Sequence, residues 1–283
     1  MIVTRLFGGA GNQLFQYAAG RTLADHLGTD LVLDRRYMRI WDETRADCFP
    51  FYKNTRFLED VLLPPSKFDG MLRYSAWRVF GRKPKFQREN GLEFNSGFFD
   101  LPDNSYLHGY WQSERYFEHS KERIRADLDL TEPLDETNDA MAAQIRDTKS
   151  PVSLHIRRGD YLGDGGFAAC PPEYYAAAVD RLREEVGQSL TCYVFSNDPD
   201  WARHHLHLGV ETAVVDINDE TKGHFDIYLQ SLCAHNIIAN STFSWWGAWL
   251  NEAPDKRVIA PKTWFAPGKP ANPDIYPPDW IRL

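Results

Sequence analysis

Apolar positions recur along the chain as short unbroken runs and as runs with helical spacing. The first run, at residues 2–7, predicts a buried strand, and a glycine-rich loop at residues 8–11 follows it. Apolar residues then repeat at helical spacing over residues 12–27, and Gly28 ends the predicted helix. The run at residues 31–33 predicts the next strand. This order of strand, loop, helix and strand indicates the start of an α/β domain.

The second half of the chain shows the same alternation more regularly. Strands are predicted at 152–156, 191–195, 212–215, 236–239 and 257–260, and helices at 172–186, 200–207, 224–235 and 244–251. Strands that alternate with helices predict a mostly parallel sheet with right-handed crossovers, as in Rossmann-like domains. A charged helical segment at 132–149 borders a predicted linker, so we divide the chain into domains 1–149 and 150–283. The sequence leaves open whether the C-terminal tail returns to the first domain.

The stretch between residues 35 and 104 is irregular and rich in aromatic residues, Pro and Arg. Its aromatic residues either stack on sugar rings or belong to the core, and the core is favoured because aromatic side chains dominate cores. They are Trp41, Phe49, Phe51, Tyr52, Tyr74, Trp77 and Phe80. Beyond this stretch, residues 108–113 predict a short strand that leads into a helical segment from Glu114.

Composition narrows the class of protein. Of the 283 residues, 43% are hydrophobic and 25% charged, as in ordinary soluble globular proteins. The net charge of −8 argues against a nucleic-acid partner, because binding a phosphate backbone needs a clustered excess of Lys and Arg. The four cysteines lie far apart in no zinc-ligand spacing, so we expect free thiols in a reducing cytoplasm and neither a zinc site nor a disulfide scaffold.

Membrane insertion is not predicted. The apolar run before the glycine loop is too short for a signal peptide, and no run approaches the length of a membrane span. A peripheral membrane contact stays open, because several cations surround Trp77. They are Arg73, Arg78, Arg82, Lys83 and Lys85.

Charged side chains follow the predicted strand at 152–156, in the segment His155-Ile156-Arg157-Arg158-Gly159-Asp160. Guanidinium groups match phosphate oxygens in charge and geometry, which suggests a phosphate-bearing ligand. The alternative is a solvated Arg–Asp pair at a strand end.

Two further polar loops favour the phosphate site. They follow predicted strands at Ser196–Asp198 and Asn240–Phe243, and open parallel sheets bind ligands outside the carboxyl ends of their strands. Ser241, Thr242 and Ser244 stand at a predicted helix start, where hydroxyls and free N–H groups either hold a phosphate or only cap the helix.

Two residues keep two interpretations each. Asp226, in the first turn of a predicted helix, either stabilises the helix dipole or accepts hydrogen bonds from guanine. His155 is either an orienting core histidine or a catalytic group.

The loop Gly9-Ala10-Gly11 resembles part of a dinucleotide-binding fingerprint, which makes an NAD oxidoreductase one alternative function. Leu14 stands where the third glycine of that fingerprint is needed, and this weakens the alternative. A sugar- or nucleotide-binding module without activity is the other alternative.

Four segments together resemble the α-1,2-fucosyltransferase family, glycosyltransferase family 11. They are residues 8–18 (GGAGNQLFQYA), 155–161 (HIRRGDY), 193–198 (YVFSND) and 235–250 (HNIIANSTFSWWGAWL). The resemblance implies a GT-B fold, in which two Rossmann-like domains face a central cleft and the C-terminal one binds the donor GDP-fucose. It implies no metal and no further cofactor. The acceptor partner would be a galactose-terminated oligosaccharide, and the sequence leaves open whether this is a lactose-type glycan, an O-antigen unit or a lipid-linked oligosaccharide.

By this resemblance, the site residues divide by role. Arg157 would hold the β-phosphate with Arg158 nearby, Asp226 would bind guanine, and His155 would contact the nucleotide. Ser241, Thr242 and Phe243 would bind the diphosphate, and Asn12 would reach the fucose and phosphate. Gly11 and Asn197 are further candidates for binding the donor.

The implied reaction is transfer of L-fucose from GDP-β-L-fucose to the 2-hydroxyl of a β-galactoside, with inversion to the α linkage. An arginine at the leaving phosphate stabilises charge in the transition state. Inversion also calls for a proton acceptor on the opposite face, and Asp164 in the glycine-flanked loop is the candidate, whereas Asp160 would brace the arginines.

Overall fold

The computed structural model describes residues 1–36, 38, 47–59, 63–65, 70–81, 83–158, 167, 169–187, 189–266, 268–269 and 271–283. The chain forms two compact units. The first comprises Met1–Gly8 and Asn12–Asp129, and the second comprises Gly9–Gly11 and Leu130–Leu283. Each unit contains its own parallel sheet.

The first unit is built on a sheet with the strand order β2-β1-β4-β3. Its strands are β1 (Ile2–Arg5), β2 (Leu31–Asp34), β3 (Lys85–Arg88) and β4 (Ser105–His108). Its described helices are α1 (Ala10–His26), α2 (Met71–Phe80) and α3 (Lys121–Asp127), with 3-10 turns at Phe49–Phe51, Ser96–Asp100, Glu114–Tyr116 and Glu118–Ser120. Leu14, Phe15, Ala18 and Leu23 of α1 are fully buried, as their helical spacing predicts.

The second unit is built on a sheet with the order β10-β9-β8-β5-β6-β7. Its strands are β5 (Pro151–Ile156), β6 (Thr191–Ser196), β7 (Glu211–Val215), β8 (His235–Ile237), β9 (Val258–Ala260) and β10 (Ile281–Arg282). Its described helices are α4 (Glu136–Asp147), α5 (Pro172–Val186), α6 (Pro199–His205), α7 (Gly223–Ser231) and α8 (Thr242–Leu250), with a 3-10 turn at Glu220–Lys222. The core strands β5 and β6 bury nearly every residue, as expected for a sheet covered on both faces.

The structure differs from the predicted domain border at 149/150. Helix α4 buries Ala142 and Ile145 against Tyr193, Phe195 and Leu229 of the second unit, so the chain from Leu130 onwards groups with that unit. The C-terminal tail also stays there, because β10 pairs with β9 in parallel.

The strand predicted at 108–113 is wrong. Strand β4 ends at His108. Beyond it, the carboxylate of Glu89 accepts hydrogen bonds from the backbone N–H groups of Tyr110 (2.6 Å) and Trp111 (2.9 Å). Trp111 takes a positive φ of 56°, which is incompatible with an extended strand.

Strand order defines where each sheet offers a ligand crevice. In the second sheet, β5 lies between β6 and β8, so the connections that follow β5 and β8 leave in opposite directions. Such a topological switch point is where open α/β sheets bind ligands. In the first sheet, β1 lies between β2 and β4, so the loops after β1 and β4 adjoin at its carboxyl edge.

Candidate functional site

The switch point of the second sheet brings two of the predicted polar loops together. His155 is the second-last residue of β5, and Phe243 lies in the first turn of α8, which follows β8. Their ring centroids are 5.5 Å apart at an interplanar angle of 32°. The arginine-bearing strand end and the Ser-Thr helix start therefore lie side by side at this edge of the sheet.

His155 is a buried histidine with unused hydrogen-bonding capacity. The residue is 4% exposed, and the Nδ1 atom of its ring has no hydrogen-bond partner in the described part of the chain. Burial and the neighbouring Arg157 guanidinium lower the pKa of His155 to about 3. The ring is therefore neutral at pH 7 and is too weakly basic to accept a proton in a reaction. It can still form a hydrogen bond with a ligand.

The two arginines after β5 have different surroundings. The guanidinium carbon of Arg158 lies 3.8 Å from the centroid of the Trp201 ring, and its Nε lies 3.4 Å from Oδ2 of Asp198. The backbone N–H of Arg158 donates to Oδ1 of Asn197 at 2.9 Å. Arg158 and Asn197 thus tie the loop after β5 to the loop after β6, while Arg157 is the arginine whose charge acts on His155.

The N-terminus of α8 is packed against the glycine segment Gly9–Gly11, which belongs to the same unit. A Cβ atom on Gly11 would lie 2.4 Å from the carbonyl carbon of Thr242 and 2.7 Å from the backbone nitrogen of Phe243. The indole Nε1 of Trp246 donates to the Gly11 carbonyl at 2.9 Å. Glycine is therefore required here for close approach of two backbones, which places the loop beside a helix start that attracts anions.

Ser241 lies at the N-cap position of α8 but its hydroxyl makes no capping hydrogen bond. The residue is 5% exposed, so this hydroxyl sits within the site and not on an open surface. The helix start keeps backbone N–H groups that the Ser241 side chain does not satisfy, as an anion site requires.

Asp226 accepts a hydrogen bond from Asn218, which is itself hydrogen-bonded to Asn138. Nδ2 of Asn218 donates to Oδ1 of Asp226 at 2.7 Å and to Oδ1 of Asn138 at 2.8 Å, and Nδ2 of Asn138 returns a bond to Asn218 at 2.9 Å. Burial, followed by the charge of Asp216, raises the pKa of Asp226 to about 7, although the Asn218 hydrogen bond acts in the opposite direction. A carboxylate with one oxygen fixed and partial exposure can accept two hydrogen bonds from a ligand.

Asn12 belongs to the first unit, near the start of the helix that follows β1. Its Oδ1 accepts a hydrogen bond of 2.8 Å from Nε2 of Gln112, which lies in the loop after β4. The amide of Asn12 is thereby oriented at the carboxyl edge of its own sheet, where a ligand of that unit is expected.

Gly159, Asp160 and Asp164 lie outside the described residues, so their predicted roles as loop, brace and proton acceptor stay predictions. Among the described residues, no group of three or more His, Cys, Asp or Glu side chains is placed to hold a metal ion. None of the described helices combines the length and the apolar character needed to cross a membrane.

Several side chains that shape the site were missed from the sequence. Trp201 and Trp246 were assigned only to helices, and Gln112 to a strand, because nothing in their local pattern signals a contact distant in sequence. Asn218 did have a signal, since it follows β7 at the same carboxyl edge as the three loops that were considered.

The whole chain is similar to known sugar transferases. The model of glycosyl transferase family 11 matches residues 88–283. An α-1,2-colitosyltransferase of Escherichia coli is 30% identical, covering 100% of this chain and 99% of the relative. The O-antigen biosynthesis glycosyltransferase WbnK of E. coli is 29% identical over 98% of this chain and 99% of the relative. Galactoside α-(1,2)-fucosyltransferase 1 of Alouatta caraya is 27% identical, covering 85% of this chain and 62% of the relative.

Solved structures share the fold. NodZ α-1,6-fucosyltransferase soaked with GDP-fucose aligns with a TM-score of 0.50 and 16% identity, covering 88% of this chain and 91% of that chain. A mutant of Arabidopsis thaliana FUT1 in complex with GDP aligns with a TM-score of 0.52 and 12% identity, covering 96% and 72%. The two parallel α/β units and these likenesses confirm the predicted α/β fold of GT-B type. With more than half of its length matched by the family model and a relative at 30% identity, the chain belongs to glycosyltransferase family 11.

Proposed function

We propose that this enzyme transfers L-fucose from GDP-β-L-fucose to the 2-hydroxyl of a β-galactoside, with inversion to an α-1,2 linkage. The observation that carries the proposal is the convergence of His155, Arg157 and the start of α8 at the switch point of the second sheet. A relative named galactoside α-(1,2)-fucosyltransferase and a neighbour soaked with GDP-fucose support the same donor and linkage.

The donor would lie along the carboxyl edge of the second sheet. In this arrangement Asp226 accepts hydrogen bonds from guanine, the start of α8 with Ser241 and Thr242 binds the diphosphate, and His155 uses its unpaired Nδ1 toward the nucleotide. Arg157 supplies charge at the β-phosphate. Arg158 and Asn197 act as positioning residues, because their side chains are engaged with Trp201 and with the loop backbone.

The chemistry follows from charge that builds on the leaving diphosphate as the glycosidic bond breaks. A guanidinium and helix N–H groups that are already oriented stabilise this charge without reorganisation, which accelerates departure of GDP. The amide of Asn12, oriented by Gln112, would contact the fucose and phosphate. Arg157 provides the positive charge that a metal supplies in other transferases, so we propose activity without a metal.

The proton of the attacking hydroxyl needs an acceptor, and Asp164 stays the candidate. His155 does not fit this role, because the pKa of its ring is lowered to about 3. Asp164→Asn should lower kcat while GDP binding is retained. Unchanged kinetics of that variant would remove Asp164 as the base.

A second donor is favoured by one comparison, because the relative at 30% identity is named an α-1,2-colitosyltransferase. Colitose lacks the 3-hydroxyl that fucose carries, so the two donors differ at one position of the sugar ring. The acceptor is proposed to be a galactose-terminated glycan of the O-antigen type, as the name of the WbnK relative suggests. The four free, buried cysteines support action in the reducing cytoplasm.

The test is turnover with GDP-fucose, and separately with GDP-colitose, on a panel of β-galactosides in the presence of EDTA. Product NMR should show an α-anomeric proton and a substituted galactose C2. Hydrolysis of the donor without transfer, or activity that EDTA abolishes and Mg²⁺ restores, would contradict the proposal. A thermal shift with GDP but not with NAD identifies the nucleotide separately from turnover.

A further inference from the structure

Helix α2 (Met71–Phe80) has its apolar face turned outward. The helix buries none of its residues, and Leu72 is 90% exposed and Phe80 88% exposed. Met71 and Val79 are 64% and 70% exposed. Because successive residues turn by about 100° around a helix, these four side chains share one half of its circumference.

The opposite half of α2 attaches it to the first unit. Tyr74 and Trp77 are half-buried, and the Trp77 ring meets the ring of Phe86 on β3 edge to face at 6.5 Å. Phe86 in turn packs on Tyr106 of β4 with ring centroids 4.7 Å apart. The outward apolar stripe is therefore fixed in place by aromatic packing beneath it and is not a frayed segment.

Cations border this stripe. Arg73 and Arg78 lie on either side of the apolar half of α2, and Lys83, Lys85 and Arg88 follow in the connection to β3 and in β3 itself. From Gly70 to Arg88 the sequence contains no Asp or Glu, although the net charge of the chain is −8. The positive charge of this segment is thus strongly local.

An apolar stripe between cations has the form of a helix that lies in the plane of a bilayer surface. Its chemistry matches an anionic membrane, in which the apolar side chains enter the acyl boundary and the cations meet lipid phosphates. A symmetric contact with a second copy fits poorly, because it would place the same cations against each other.

We infer that α2, with the cations that follow it, docks this enzyme on the surface of an anionic lipid bilayer. Docking holds the enzyme at a surface without a spanning helix. It needs neither the donor nor the acceptor, so it stands or fails independently of the proposed reaction.

The test is co-sedimentation of the full chain with vesicles of phosphatidylcholine, alone or mixed with phosphatidylglycerol. Binding to the mixed vesicles is expected to exceed binding to neutral ones and to weaken with salt. Each cation near an anionic surface strengthens binding about fivefold, so the triple variant Arg73→Gln/Arg78→Gln/Lys85→Gln should bind on the order of a hundredfold more weakly. Leu72→Ser/Phe80→Ser should lose at least tenfold, since it removes the inserted groups.

Matched controls remove the same chemistry elsewhere. Arg181→Gln/Arg183→Gln on α5 removes exposed cations, and Leu283→Ser removes a side chain that is 38% exposed, so both should bind vesicles as the wild type does. The α2 variants should keep wild-type thermal stability and turnover of a soluble acceptor. Equal binding to neutral and anionic vesicles, no binding, or self-association that Leu72→Ser/Phe80→Ser abolishes would overturn the inference.

Discussion

Replacing Asp226 by Asn should stabilise the unliganded protein while it impairs donor binding. The pKa of Asp226 is raised from 3.8 to about 7, chiefly because burial disfavours the carboxylate. Between about pH 4 and pH 7 the folded state keeps this proton and the unfolded state releases it, so the free energy of unfolding falls as pH rises through this window. At about 1.4 kcal/mol per pKa unit, ionised Asp226 costs the fold up to about 4 kcal/mol above pH 7.

The expected gain is smaller than this limit. The Asp226 side chain is partly exposed, and water therefore screens part of the cost. We expect Asp226→Asn to be about 2 kcal/mol more stable than the wild type at pH 8 and equally stable near pH 4. The hydrogen bond from Nδ2 of Asn218 survives, because Asn also offers an oxygen acceptor.

The assay is denaturant unfolding of both proteins at pH 4, 6 and 8, with the difference between them taken at each pH so that other titrating groups cancel. Asp219→Asn is the control, since hydrogen bonds from Thr221 lower the pKa of the Asp219 carboxyl and its loss should bring no gain at pH 8. A difference between Asp226→Asn and wild type that is zero at pH 8, or equal at every pH, would refute the raised pKa.

The same variant tests the proposed contact with guanine. Two hydrogen bonds to a carboxylate are lost, so GDP affinity should fall about a hundredfold or more. In the wild type, KM for GDP-fucose should rise as pH falls below about 7, because the protonated form of Asp226 presents a donor where guanine also presents donors. A variant that gains stability and still binds GDP normally would confirm the pKa and reject the guanine contact.

Three further substitutions probe the donor site. Arg157→Ala should lower kcat about a hundredfold or more with an unchanged circular dichroism spectrum, and a folded variant with near-normal turnover would contradict its role. Gly11→Ala should destabilise the protein by about 1–3 kcal/mol, measured by denaturation, since its Cβ would lie 2.4 Å from the Thr242 carbonyl carbon. Arg158→Lys keeps the charge but loses the planar contact with Trp201, so KM for the donor should rise severalfold with little change in kcat. A kcat loss as large as that of Arg157→Ala would instead place Arg158 on the phosphate.

The regular half of the fold could be predicted because its apolar pattern and its tertiary environment agree. Helix Pro172–Val186 has the bounds that its spacing and its proline start predict, and the strands of the second sheet differ by a few residues at their ends. Helix α2 and strand β3 were missed because neither shows a one-faced apolar pattern in the sequence. Helix α2 carries Leu72 and Phe80 on one half and Tyr74 and Trp77 on the other, and β3 (Lys85–Arg88) has Phe86 as its single apolar residue.

Part of the site could be predicted, because residues that follow strand ends can be placed from the sequence. Polar residues after β5, β6 and β8 could be placed at one edge, because parallel strands end on the same side of a sheet. Strand order determines which two loops adjoin. That order depends on the pairing of β5 with β8, although residues 157–234 separate the two strands in the sequence. Contacts such as that of Gly11 with Trp246 depend on how a loop packs against a distant helix, and no local pattern encodes them.

The contrast between Arg157 and Arg158 shows why a motif alone cannot assign chemistry. Both side chains carry the same charge at adjacent positions, and the guanidinium of Arg158 lies beside an aromatic ring and a carboxylate. A guanidinium that is stacked and paired positions the backbone beneath it and would have to lose those contacts to bind phosphate. Burial and the charge of Arg157 together lower the pKa of His155, so Arg157 is the arginine that acts on the buried imidazole.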